Sequence, residues 1–165
     1  MIKINTENQN NKREIDLSKI RKISRIVLGE MKIPDSEINI VFVTNSKMRV
    51  INRKYFGRDR ATDVISFPSG TGIDSNTCGD PASDRGKKRR KDSPAGHIFL
   101  GDIAISSDKA SQNAEIYGTE FSEEIALYVI HGILHLLGYD DTAKEPGILM
   151  RRKENELLQK TRKYF

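Results

Sequence analysis

The sequence has no tryptophan and a single cysteine, Cys78. One thiol forms no internal disulfide and builds no multi-cysteine zinc site, so a stapled secreted scaffold and a zinc ribbon are both excluded. Any bound metal must be held by histidine and carboxylate, and histidine is scarce too, with three in 165 residues. No run approaches the roughly 18 apolar residues of a membrane span. The opening Met1-Ile2-Lys3-Ile4-Asn5 also lacks the apolar stretch of a signal peptide. The expectation is a cytoplasmic protein with no membrane partner.

What is present suits one domain over 1–165, of α+β class. The 28 basic residues exceed the 23 acidic ones, and the net charge of +5 favours approach to a polyanion. The segment 69–97 is dominated by Gly, Ser, Asp and Pro and has no core-forming periodicity, so it reads as a flexible inserted loop. It holds Cys78, expected as a free exposed thiol, and a basic block of Arg85, Lys87, Lys88, Arg89, Arg90 and Lys91, expected as a solvated run.

Outside the loop, periodicity predicts strands over 1–5, 37–44, 61–67 and 98–105. Helices are expected from Asp16, an N-cap, towards Pro34, over 46–55, from Ser106 or Ser107 to Tyr117, over 122–137 and over 145–164. Four strands interleaved with helices indicate an α+β or α/β sandwich.

Two of the three histidines form His131-Gly-Ile-Leu-His135 on the most apolar of these helices. A spacing of four puts both imidazoles on one face, about a turn apart, where they can hold one metal ion. The alternative is a pair of hydrogen-bonded core histidines. Gly138 stands where a helix C-cap is expected and Tyr139-Asp140-Asp141 follows, so a reversal there could return Asp140 or Asp141 to the histidine face. Two imidazoles and one carboxylate suit a catalytic zinc with an open position. In metallopeptidases a glutamate beside the first histidine is the general base. Gly132 occupies that place here.

The segment from His131 to Asp141 resembles the signature H-G-x-L-H-L-x-G-Y-D-H of the YbeY family, differing only at its last position. Ile51-Asn52 through Thr62-Asp63-Val64-Ile65-Ser66-Phe67-Pro68 is similar to that family's L-N-x-x-Y-R-G-K-D-x-x-T-D-V-L-S-F-P, and Leu100 to Ser106 to its L-G-D-I-x-I-S. The resemblance implies a zincin-like α+β fold, with a small mixed sheet beside a central helix bearing the metal ligands. It implies a single-strand-specific, metal-dependent endoribonuclease of ribosomal RNA maturation, acting at the 16S rRNA 3′ end and in ribosome quality control. The implied partners are ribosomal RNA and the small ribosomal subunit.

Carried over residue by residue, His131 and His135 match zinc ligands, His131 belongs to the catalytic centre, and Asp141 stands in for the usual third histidine. One zinc per chain is expected. An anionic ligand lowers the site's charge by one and shifts its preference towards harder cations. Phe56 stands where the family has an arginine, leaving Arg53, Arg58 and Arg60 as candidates to contact substrate phosphates. His97 is expected as a surface histidine rather than a fourth ligand. Glu124, two turns before His131, could orient an imidazole or serve as a helix-start carboxylate. Two rival readings share the motif: another zinc hydrolase, such as a peptidase or amidase, and a ribosome-associated RNA-binding factor with a structural metal.

Overall fold

The computed structural model describes residues 1–69 and 97–165. Apart from its end residues Ser69 and His97, the expected insertion lies outside the described residues, together with Cys78 and the basic block from Arg85 to Lys91. The elements run β1 (Lys3–Asn8), α1 (Leu17–Glu30), β2 (Ser36–Val43), α2 (Asn45–Phe56), β3 (Val64–Pro68), β4 (Ile98–Ser106), α3 (Ser107–Tyr117), α4 (Phe121–Leu136) and α5 (Lys144–Thr161), closing with a 3-10 turn over Arg162–Tyr164.

The first three helices begin where a short polar side chain can satisfy their free N–H groups. Asp16 accepts from the amides of Ser18 and Lys19, Thr44 from Lys47, and Ser106 from Lys109. Such a cap stabilises a helix by about 1 kcal/mol. β1 runs further than its hydrophobic pattern predicts because its polar end stays paired, Asn8 opposite Phe42. β3 is shorter than expected, since Asp63 turns back on its neighbours, accepting from the Val64 amide and the Thr62 hydroxyl.

The sheet order is β1-β2-β4-β3. β1, β2 and β4 are parallel and β3 is antiparallel at the edge, so the sheet is mixed and the class is α+β. Alternation along β2 buries Ser36, Ile38, Ile40 and Phe42 on one face, and its apolar members join Ile4, Ile103 and Ile105 in the main core with α1 and α4. The opposite face carries a polar row: Asn5 donates to Glu37 and Asn39 at 2.7 and 2.8 Å, and Asn39 donates to Asp102 at 2.7 Å.

α4 is the central helix and touches β3, β4, α1, α3 and α5. Val129, Ile130, Ile133 and Leu134 are fully buried, which accounts for a helix apolar nearly all round. Gly132 lies against the sheet: a Cβ there would sit 2.7 Å from Ile103 Cγ2 and 3.2 Å from Val64 Cγ1. The glycine sets how closely α4 lies on β3 and β4, and Ser66 Oγ fastens the contact by donating to the Gly132 carbonyl at 3.0 Å.

Candidate metal centre

The last two turns of α4 carry His131 and His135 on one face, as their spacing predicts. The side chains are not fully enclosed, as the alternative of two core histidines would have them, but keep 25% and 28% exposure, and His135 lines a cleft. Their Nε2 atoms stand 3.0 Å apart.

The chain then reverses. Gly138, at φ +90°, adopts the left-handed conformation that glycine takes most readily. Its amide donates to the His135 carbonyl and the Tyr139 amide to the Leu134 carbonyl, each at 3.0 Å, which closes the helix in the manner of a Schellman ending. This turn places the Tyr139 carbonyl 3.0 Å from His135 Nδ1. It also separates the two aspartates that the sequence leaves as alternatives. Asp140 folds onto Thr142, accepting from its amide at 2.9 Å and its hydroxyl at 2.7 Å. Asp141 faces the imidazoles, its oxygens 3.7 Å from His135 Nε2 and 4.0 Å from His131 Nε2. The ligand atoms of His131, His135 and Asp141 all lie within 4.8 Å of one another.

On the far side of His131, Glu154 of α5 approaches Nδ1 to 2.6 Å. Both Nδ1 atoms therefore face acceptors, which fixes each ring with its proton on Nδ1 and its lone pair on Nε2. Two lone pairs 3.0 Å apart beside a carboxylate form an electron-rich point that only a proton or a cation relieves. The donor set, two imidazoles and one carboxylate held from behind, fits a zinc ion. Burial pushes the His131 imidazole down, but the Glu154 carboxylate bonded to it, helped by Asp141 and Asp63, outweighs this and holds it above the ordinary histidine value. Burial and the charge of His131 push His135 below it.

The sequence does not mark out Glu154, because nothing local distinguishes it from the other charges of α5; the packing of α5 on α4 brings it in. Glu124 sits as a helix-start carboxylate: it is buried and accepts from the Thr119 hydroxyl at 2.7 Å. His97 lies away from the centre, between Asp35 and Glu37 at 3.2 and 3.4 Å.

A cleft of about 390 Å³ opens beside His135 along the edge strand β3, lined by Asn52, Phe56, Arg58, Arg60, Ser66 and Thr142, among others. Buried Asn52 anchors the loop, donating to the Arg60 carbonyl at 2.8 Å. Among the described residues neither Arg58 nor Arg60 has a carboxylate partner. Arg53 is not in this cleft. It points to Asp59 at 3.8 Å, which already holds Arg49 at 2.6 Å.

A family model described as Endoribonuclease YbeY matches residues 5–162. The chain is 36% identical over 159 residues to an Endoribonuclease YbeY of Clostridium botulinum, covering 96% of this chain and 90% of that one. It is 39% identical over 127 residues to a protein of the same name from Lysinibacillus sphaericus, covering 76% and 73% of the two chains. For one from Geobacter sulfurreducens the identity is 32%, with coverage of 95% and 94%. A solution structure of a Thermotoga maritima protein has a similar fold, with a TM-score of 0.59 at 21% identity over 98% of this chain and 89% of that one. The match across nearly the whole chain places this protein in the YbeY endoribonuclease family.

Proposed function

We propose that the protein is a zinc-dependent endoribonuclease that cleaves single-stranded segments of ribosomal RNA, at the 16S rRNA 3′ end and in ribosome quality control, in the cytoplasm and on the small ribosomal subunit. One observation carries the metal-dependent part: the facing Nε2 atoms of His131 and His135, both rings held from behind and Asp141 closing the third side. These three residues would hold one zinc ion. When bound there, zinc supplies Lewis acidity, polarising a phosphoryl oxygen and making water a better nucleophile.

The chain's own groups do the rest. Glu154 and the Tyr139 carbonyl keep the imidazoles in the tautomer and orientation that present Nε2 to the cleft. Arg58 and Arg60, with no carboxylate partner among the described residues, offer their guanidinium groups to the phosphates of a strand lying along β3. Asn52 fixes the backbone from which Arg60 projects. Peptide hydrolysis of the metallopeptidase kind is disfavoured by Gly132: that position points into β3 and β4, where a glutamate side chain has no room and no view of the cleft.

The test is cleavage of a ribosomal RNA fragment by the purified protein. Activity abolished in a folded His131→Ala variant supports the reading, and activity that survives the substitution refutes it.

A further inference from the structure

The position where the family carries an arginine holds Phe56, and the structure shows what surrounds it. Phe56 and its neighbour Tyr55 end α2 with 51% and 58% of their surface exposed. Both rings meet Phe67 of the edge strand, Tyr55 edge-on at 5.0 Å and Phe56 tilted by 32° at 6.1 Å. Isolated exposed apolar residues are ordinary on protein surfaces. Here three aromatic rings form one patch, and Phe56 itself lines the cleft shared by Arg58, Arg60 and His135.

A cationic groove bordered by an exposed aromatic face is the arrangement that binds single-stranded nucleic acid: guanidinium groups follow the phosphates while bases stack on the ring. We propose that Phe56, backed by Phe67 and flanked by Tyr55, is a stacking platform for an unpaired nucleobase of the RNA strand whose phosphates lie against Arg58 and Arg60. This rests on the nuclease reading above and adds a base contact to it. Lys54, whose Nζ lies 5.3 Å from the Tyr55 ring centre, adds a cation at the rim of the patch. A platform of this kind favours single strands, because bases inside a duplex have no free face to offer. It is tolerant of sequence, since every base has such a face.

The test uses the full chain and a short unstructured single-stranded RNA carrying one 2-aminopurine, with binding read by anisotropy in the first seconds after mixing. Phe56→Ala is expected to weaken binding by about 5- to 150-fold, the range that loss of one base–aromatic stack of about 1–3 kcal/mol gives. The loss should be alike at low and high salt and accompanied by loss of 2-aminopurine quenching. Phe56→Tyr retains both signals, and Phe56→Leu, which keeps apolar volume without a flat face, behaves like the alanine variant. A folded Phe56→Ala protein that binds within twofold of the parent and still quenches the probe overturns the platform. So does unchanged RNA affinity with an altered oligomeric mass, which assigns the patch to a protein interface. If the unaltered protein binds no RNA, the nuclease reading fails first. If it binds RNA and Phe56→Ala changes neither affinity nor quenching, the platform alone fails.

Discussion

Asp141 is where this chain departs from the family signature within the trio proposed to hold zinc, and its carboxylate faces both imidazoles. The Gly138 reversal brings its oxygens to the histidine face, while Asp140 is occupied in its own turn with Thr142. An anionic oxygen ligand lowers the net charge of the centre and is harder than imidazole. Asp141→His should therefore raise the preference for zinc over manganese, read as the ratio of the two affinities in a competition titration. A ratio unchanged or reduced would remove Asp141 from the ligand set. Glu154 acts one step further out, through His131. Glu154→Ala should weaken zinc binding about 10- to 100-fold without loss of fold. Glu154→Gln, which retains an acceptor for the Nδ1 proton, should recover part of that affinity. Equal affinity in all three proteins would show that Glu154 does not position the ring.

At the scale of the elements, the helix that carries the histidines is also the one most tightly fitted to the sheet. A methyl group at Gly132 would press into Ile103 and Val64, so Gly132→Ala should destabilise the fold by about 1–3 kcal/mol through overpacking. Denaturant unfolding measures this directly, and a stability equal to the parent's would mean that α4 can lift off β4 freely. The residues responsible for each element are largely visible in the sequence. Asp16 and Ser106 announce their helices as caps, Ile38, Ile40 and Phe42 alternate as a half-buried strand must, and the spacing of His131 and His135 defines a common face. Other features depend on packing between elements and have no local trace. The polar end of β1 is a strand because β2 pairs with it, and Glu154 reaches His131 from one helix to another. The choice between Asp140 and Asp141 rests on the turn that Gly138 makes.

Across the whole molecule, the chemistry gathers at one edge of the sheet. Among the described residues, His135 of α4, the loop after α2 and the edge strand β3 line one cleft, and the net charge of +5 favours a polyanion. The three arginines expected near substrate separate here into two that line this cleft and one, Arg53, that faces Asp59. Single-stranded RNA binding should follow that division. Removing both cleft guanidinium groups, Arg58→Ala with Arg60→Ala, should lower the slope of log affinity against log salt by about 1.4, or roughly 0.7 for each phosphate that is no longer neutralised. Arg53→Ala should leave it nearly unchanged, and a larger effect from Arg53 than from the pair would place the strand elsewhere. All of this turns on whether the trio binds metal. The most direct measurement is the zinc content of untagged protein purified without chelators, beside a folded His135→Ala variant. About one zinc per chain is expected, absent from the variant. Folded, unstripped protein that contains no metal would reduce His131 and His135 to a hydrogen-bonded pair and refute the zinc centre.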